Sequence, residues 1–196
     1  MTIVSRETRE KLEQYVALLR DENQRQNLIS KNSVDDLQLR HIQDSLQLLD
    51  HACNDAHWLD IGSGAGLPGL VLAIAGVRQI TLVEPRRLRT DFLDRCRKQL
   101  ALTNVTIVTG KAEQLPGRFD VITARAVASL DRLFTIGVPL MRAGGQWVLP
   151  KGRSAAKELE EACATWQGEF RLVASKTDPD ARILVGERVR RRTGRG

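Results

Sequence analysis

The sequence predicts an α/β protein with a doubly wound, mainly parallel sheet, preceded by N-terminal helices and completed by a terminal antiparallel strand. From residue 58 onward, short runs rich in Val, Ile and Leu alternate with helix-like segments. This alternation is typical of a parallel sheet covered on both faces. Near the end, two candidate strands are separated by the turn residues Asp178, Pro179 and Asp180, which predicts an antiparallel hairpin.

The first fifty residues predict helices and no strand. Ser5 is placed to cap a helix over residues 5–25, in which Leu12 and Leu19 belong to an apolar stripe with helical spacing. The same kind of spacing predicts a second helix over residues 34–49. These helices precede the sheet along the chain.

The rest of the chain alternates strand and helix. The predicted strands are residues 58–61, 79–84, 104–108, 119–123 and 145–149. The predicted helices between and after them are residues 67–75, 86–100, 129–141 and 155–166. We therefore expect one domain over residues 1–187, with a helical part (1–50) and a ligand-binding sheet (56–187).

The net charge of +6 is concentrated at one end of the chain. Five of the thirty basic residues lie in the last nine positions, so the preceding part carries a net charge of only +1. These are Arg188, Arg190, Arg191, Arg192 and Arg195. We expect residues 188–196 to form a flexible basic tail, and global charge alone does not indicate a nucleic-acid-binding protein.

Composition excludes several classes of protein. The longest apolar stretch, residues 69–77, is far shorter than the ~20 residues that span a bilayer, and the charged beginning does not resemble a secretory signal. Three cysteines and three histidines, all widely spaced, predict neither a disulfide framework nor a metal site. We expect a cytoplasmic protein that needs no membrane and no obligate partner chain.

The most informative segment is LDIGSGAGLPG at residues 59–69, which ends a predicted strand and begins a helix. In doubly wound sheets this turn lies at the carboxyl edge, where ligands bind. Gly62, Gly64 and Gly66 let the backbone approach a ligand closely. The alternative is a tight strand–helix connection with no ligand, but four glycines within eight residues exceed what a plain turn requires.

Two nucleotide ligands compete for this loop. A GxGxxG pattern starting at Gly64, with Glu84 twenty residues later, suits NAD. However, the glycines begin earlier, at Gly62, and Asp60 precedes them. A carboxylate there would repel a pyrophosphate but would suit the cationic S-adenosylmethionine. The pattern therefore favours a Rossmann-like class I methyltransferase fold, in which Glu84 accepts hydrogen bonds from the ribose hydroxyls unless it is an ordinary solvated carboxylate.

Four blocks of sequence together resemble the bacterial small-subunit rRNA guanine-N7 methyltransferases, the glucose-inhibited division protein B (RsmG/GidB) family. The blocks are NLIS at 27–30, RHIQDSL at 40–46, DIGSGAGLPG at 60–69 and TARAVASL at 123–130. The resemblance implies methylation of N7 of one guanine in 16S rRNA near the decoding site of the small ribosomal subunit. It also implies that Gly62, Leu67, Ala112, Glu113 and Arg125 hold S-adenosylmethionine.

Guanine N7 already exposes a lone pair, so this reaction needs no general base. The base gains positive charge as it is methylated, which a nearby carboxylate would stabilise. Asp44 is the candidate, with His41 about one helical turn earlier. Equally, these two residues could simply tie the N-terminal helices to the sheet.

Basic residues near the predicted carboxyl edge are candidates for RNA contact. They are Arg40, Arg86, Arg87 and Lys151. Ordinary exposed helix charges would look the same in sequence. Three other functions stay open: a methyltransferase acting on a protein or small molecule, an NAD-dependent oxidoreductase, and a non-enzymatic RNA-binding protein.

Overall fold

A computed structural model describes residues 4–29 and 41–193 of the chain. The strands are β1 (His57–Ile61), β2 (Gln79–Glu84), β3 (Val105–Thr109), β4 (Phe119–Thr123), β5 (Met141–Lys151), β6 (Trp166–Ala174) and β7 (Arg182–Arg191). They form a seven-stranded sheet of order β3-β2-β1-β4-β5-β7-β6 within the described part of the chain. Strands β1 to β5 pair in parallel, and β7 pairs antiparallel with both β5 and β6. The strand order reverses between β1 and β4, which is where such sheets bind ligands.

Helices cover both faces of this sheet. They are α1 (Arg6–Gln26), α2 (Gln43–Leu46), α3 (Gly69–Ile74), α4 (Arg87–Gln99), α5 (Leu130–Gly137) and α6 (Ala155–Cys163). Short 3-10 turns occupy Gln47–Asp50, Ala112–Gln114 and Val138–Leu140. Ser5 caps α1 as predicted, because its hydroxyl accepts a hydrogen bond from the Thr8 N–H at 3.1 Å. The predicted α/β fold with a mainly parallel sheet and a terminal hairpin is confirmed.

Two apolar cores lie against the sheet. One contains Tyr15 of α1, Leu70 of α3 and Phe92 of α4. The other contains Phe134 of α5 and Trp147 of β5, whose rings meet edge to face with centroids 4.9 Å apart. Because α1 packs into the first core, the N-terminal helix is an integral part of the domain and can contribute to the ligand-binding edge.

The structure differs from the sequence prediction at two places. The described part of the predicted helix 34–49 is the short α2 followed by a 3-10 turn, and residues 34–40 lie outside the described residues. The predicted basic tail begins inside a strand, because Arg190 and Arg191 pair with β6 and the Arg192 N–H donates to the Thr165 carbonyl at 2.8 Å. The structure therefore places residues 188–191 of the expected tail at the end of β7, beside β6, and the flexible tail stays a prediction for the positions that follow.

Among the described helices, none has the length and apolar character needed to cross a membrane.

Candidate functional site

The glycine loop joins β1 to α3 at the carboxyl edge of the sheet. The Gly62 and Ser63 N–H groups donate to the Val83 carbonyl at 2.8 and 3.2 Å, which fastens the loop to the end of β2. Gly62 has φ +69°, and a Cβ there would lie 2.7 Å from the Val127 side chain. This position therefore requires glycine for its conformation and for its close approach to a neighbour.

Glu84 holds the same loop from the adjacent strand. Its buried carboxylate accepts hydrogen bonds from the Gly64 N–H and the Arg86 N–H, each at 3.0 Å. The Arg89 guanidinium lies 3.7 Å away. A carboxylate has about four acceptor positions, so these contacts leave capacity for the two hydroxyls of a ribose.

Asp60 lies beneath the loop and not in the cavity wall. Its side chain is fully buried, and Oδ2 accepts a hydrogen bond from the Gly69 N–H at 3.1 Å, which joins β1 to the start of α3. Oδ1 has no hydrogen-bond partner among the described residues. Burial raises the pKa of this carboxyl to about 7, although hydrogen bonds from Ser63 and Gly69 and the charge of Arg125 oppose the change.

A cavity of about 470 Å³ opens above the glycine loop, within the size range of small-molecule sites. We call it the donor cavity. Five of the predicted donor-binding residues line it, namely Gly62, Gly64, Leu67, Glu84 and Arg125. A purely structural turn would not account for this convergence of loop, carboxylate and guanidinium on one concave space.

Three other predicted donor residues do not line this cavity. Gly66 belongs to the loop, where its N–H donates to the Ser63 carbonyl at 2.7 Å. Ala112 is buried in the second core, and the Glu113 carboxylate pairs with Arg132. Of the two glutamates predicted to lie near the nucleotide, Glu84 therefore lines the donor cavity, whereas Glu113 contacts α5.

Part of the cavity wall comes from residues that the sequence patterns did not assign to the site. Leu28 and Ile29, which follow α1, line it together with Val127. Ile29 is placed there because its N–H donates to Asn23 Oδ1 at 2.8 Å. A second contact joins α1 to the glycine loop, since the Tyr15 hydroxyl donates to the Ala65 carbonyl at 2.8 Å. Leu28 and Ile29 belong to the NLIS block that contributes to the family resemblance, but the sequence patterns assign them no role at the site.

Arg125 follows β4 and connects the donor cavity to the N-terminal part of the chain. Its Nη1 lies 2.8 Å from His41 Nδ1. Since arginine only donates, that ring nitrogen accepts and the neutral ring carries its proton on Nε2. Burial lowers the pKa of Arg125, and the nearby Tyr15, Asp44 and Asp60 oppose this change. His41 therefore contacts the Arg125 guanidinium directly and helps to orient it.

A second cavity, of about 360 Å³, adjoins the first; we call it the acceptor cavity. Arg125 and Ala126 line both cavities. Asp44 and Gln47 form one part of its wall, and the turn between β6 and β7 forms another. Asp44 thus lies on an open cavity beside the donor cavity, which is where a carboxylate could act on the reacting base.

The predicted RNA-contact residues fall at different places. Arg86 lines the donor cavity, whereas the Arg87 guanidinium is exposed and pairs with Asp91 at 2.9 Å. Lys151 lines the acceptor cavity with its ammonium 3.0 Å from the Glu158 carboxylate. Arg40 lies outside the described residues. Of the three candidates that the structure describes, Arg86 and Lys151 line a cavity and Arg87 does not.

The geometry agrees with what comparison with known proteins shows. The family model described as rRNA small subunit methyltransferase G matches residues 8–179. The chain belongs to this family. Members that are similar to it include the Ribosomal RNA small subunit methyltransferase G of Zymomonas mobilis, 45% identical over 95% of this chain and 88% of that protein. The corresponding protein of Rhizorhabdus wittichii is 44% identical over 98% of this chain and 91% of its own length.

Solved structures with the same fold are far more distant in sequence. The O-methyltransferase TomG from Streptomyces achromogenes, solved with S-adenosylmethionine, superposes with a TM-score of 0.59 at 16% identity, covering 91% of this chain and 89% of TomG. A methyltransferase of Methanococcus maripaludis gives a TM-score of 0.61 at 11% identity, over 74% of this chain and 84% of that one. These likenesses show the class I methyltransferase fold. The loop and Glu84 fit S-adenosylmethionine as the methyl donor of this rRNA small subunit methyltransferase G family member.

Proposed function

We propose that this protein transfers a methyl group from S-adenosylmethionine to N7 of one guanine in 16S rRNA, near the decoding site of the small ribosomal subunit. The observation that carries the proposal is the junction of two cavities at Arg125 and Ala126. One cavity has the glycine loop and carboxylate that suit the donor, and the other is open to an incoming base. The names of the similar family members support rRNA as the acceptor.

In this proposal, each residue that lines the donor cavity has a distinct role. The backbone at Gly62 and Gly64 approaches the ligand, and Leu67 supplies an apolar contact. The Glu84 carboxylate accepts hydrogen bonds from the ribose hydroxyls. The ligand supplies a methyl group on a positively charged sulfur. Asp60 supports this arrangement indirectly, because it fixes the loop through Gly69 and does not line the cavity.

The chemistry requires positioning and electrostatics more than proton transfer. The N7 lone pair forms the new bond to the methyl carbon while the carbon–sulfur bond breaks and its electrons stay on sulfur. The guanine becomes a cation and the sulfur becomes neutral. Arg125 fixes the boundary between the cavities, and the Asp44 carboxylate stabilises the positive charge that develops on the base.

The decisive experiment measures transfer of labelled methyl from S-adenosylmethionine to under-methylated 30S subunits and to free 16S rRNA. We expect label in RNA at a single guanine, mapped by the reverse-transcription signature of N7-methylguanosine after chemical cleavage. Substitution of that guanine by adenine in the RNA should abolish incorporation. A Gly64→Arg variant, whose side chain would enter the donor cavity, is the enzyme-side control and should bind no donor.

Other outcomes would favour the alternative functions. Methyl transfer to a protein or small molecule without RNA would indicate a different acceptor for the same donor site. Tight binding of NAD, with none of S-adenosylmethionine, in calorimetric titration would indicate an oxidoreductase. RNA binding without any donor binding would indicate a non-enzymatic role.

A further inference from the structure

The acceptor cavity combines fixed hydrogen-bond acceptors with apolar surface. Asp44 and Gln47 contribute polar groups to its wall, and Pro150 and Ile183 contribute apolar ones. Its volume of about 360 Å³ is large enough to admit a purine base. Proteins commonly recognise single RNA bases by holding them against such surfaces and hydrogen-bonding their edges.

We propose that this cavity holds the target guanine, that the Asp44 carboxylate accepts hydrogen bonds from its N1–H and N2–H₂ groups, and that Gln47 is the residue that positions Asp44. The proposal rests on the function proposed above and adds the residues that select guanine over other bases. Recognition of this edge leaves N7, on the other ring of the base, available to the donor cavity.

The Asp44 carboxylate is held in place from two directions. Gln47 Nε2 donates to Asp44 Oδ1 at 3.1 Å, and the Thr177 hydroxyl donates to the same oxygen. Gln47 is itself only 3% exposed, and its Oε1 accepts the Lys176 N–H at 2.8 Å. A residue of the N-terminal part and the β6–β7 turn therefore fix one carboxylate jointly, which is the preorganisation that discrimination requires.

Asp178 is the other aspartate on this cavity, but its environment suits recognition less well. Its side chain is exposed, and its Oδ1 accepts the Asp180 N–H at 2.9 Å, so it stabilises its own turn. The Asp44 side chain is half-buried, and its carboxylate interacts electrostatically with the Arg125 guanidinium. A buried acceptor discriminates more strongly, because a base that lacks the matching donor leaves it unsatisfied.

The geometry also links selection to rate. Adenine presents a ring-nitrogen acceptor where guanine presents N1–H, so a carboxylate facing that position repels adenine. As N7 is methylated the guanine becomes cationic, and its N1–H becomes a stronger hydrogen-bond donor. The contact to Asp44 is therefore stronger in the transition state than in the ground state, which is the condition for an interaction to accelerate the reaction.

The test compares guanosine with inosine at the target position of 16S rRNA reconstituted into 30S subunits. Inosine keeps N7, O6 and N1–H but lacks the N2 amine. For the native enzyme we expect kcat/KM to be about 10–100-fold lower on inosine, as for loss of a hydrogen bond to a charged group. Asp44→Asn should lower kcat/KM on guanosine by about 100-fold, because a neutral amide oxygen is a weaker acceptor than a carboxylate. The guanosine-to-inosine ratio of kcat/KM should then lie within about threefold of one.

Two further variants separate positioning from stability. Gln47→Met keeps the side-chain length, and we expect it to lower the guanosine-to-inosine ratio while donor affinity in calorimetry stays unchanged. Asp50→Asn is the matched control, because it removes the negative charge of the nearby ion pair between Asp50 and Lys176 Nζ, 2.8 Å apart, and Asp50 does not line the cavity. It should leave the ratio as in the native enzyme.

The possible failures are distinguishable. If the native enzyme methylates no RNA, the proposed function and this inference both fall. If it methylates guanosine and inosine equally, or if Asp178→Asn and not Asp44→Asn changes the ratio, the function stands and this assignment is wrong. A ratio that Asp50→Asn lowers as much as Gln47→Met would show that the network only stabilises the fold.

Discussion

The two cavities of this protein differ in how they are assembled. The donor cavity is built largely from two neighbouring segments, residues 62–67 and 84–89, in which a glycine loop and the end of the next strand lie side by side. The acceptor cavity gathers side chains from residues 44–47, 125–128, 150–158 and 175–183. Local backbone geometry therefore defines the first cavity, whereas long-range packing between the N-terminal part and the terminal hairpin defines the second.

This difference predicts that a change in the glycine loop has the largest effect and is confined to donor binding. Gly62→Ala combines the cost of a positive φ with a Cβ 2.7 Å from Val127, and we expect donor affinity to fall by about 100-fold, the equivalent of roughly 3 kcal/mol of strain and displacement. Calorimetric titration with S-adenosylmethionine measures it. Gly76→Ala is the control, since Gly76 has φ +99° but no atom within 4 Å of the added Cβ. Equal losses in the two variants would contradict the assignment of the loop to the donor.

The same difference explains what the sequence could predict. Sequence spacing identifies Gly62, Gly64 and Glu84 because a strand, a turn and the next strand end recur at fixed separations in doubly wound sheets. Gln47 carries no such signal. Its role depends on Lys176, 129 positions away along the chain, and a buried glutamine within a helical pattern has the same appearance as a surface one. The sequence pattern predicts that the last candidate strand ends at residue 189, and its extension through Arg190 and Arg191 has a similar explanation, since arginine clusters indicate a tail unless the pairing with β6 is known.

Arg125 is the residue that both cavities share, so its substitution should impair both. Arg125→Lys keeps the charge but loses the planar group that contacts His41 Nδ1 at 2.8 Å. We expect kcat/KM for RNA methylation to fall by about 10–100-fold, with donor affinity also weakened, because the interaction joins a charged donor to a fixed acceptor. Steady-state kinetics with varied donor and varied RNA measure the two contributions separately.

Arg142→Lys provides the matched comparison for Arg125→Lys. Arg142 pairs with Asp120 at 2.7 Å near the start of β4, at the opposite edge of the sheet. Its kinetics should stay within about twofold of the native enzyme, because an exposed ion pair contributes little. An Arg125→Lys effect on only one of the two substrates would show that the cavities are not coupled through this residue.

The buried Asp60 carboxyl beneath the glycine loop can be tested through the pH dependence of the free energy of unfolding. Burial raises the pKa of Asp60 from 3.8 to about 7 in the folded protein. Between these values the folded state holds a proton that the unfolded state has released, so stability decreases as pH rises through this window. We expect the free energy of unfolding to fall by about 2–3 kcal/mol more in the native protein than in Asp60→Asn between pH 5 and 7. Urea denaturation at several pH values measures it, and parallel profiles for the two proteins would contradict the prediction.

The smallest expected effect concerns the basic end of β7, which lies outside both cavities. Arg190 is exposed near the end of β7, paired in register with Gln167 of β6. Deleting the end of the chain from residue 188 would remove part of the strand, so a single substitution is the better probe. If Arg190 contacts phosphate, Arg190→Gln should weaken RNA binding similarly for all sequences and lower the slope of log affinity against log salt by about one. Fluorescence anisotropy over a range of salt concentrations measures the slope, while the methylated guanine should stay the same. A shift in the modified position would instead place this strand in the selection of the acceptor, and the contrast between the two cavities would then extend to the hairpin.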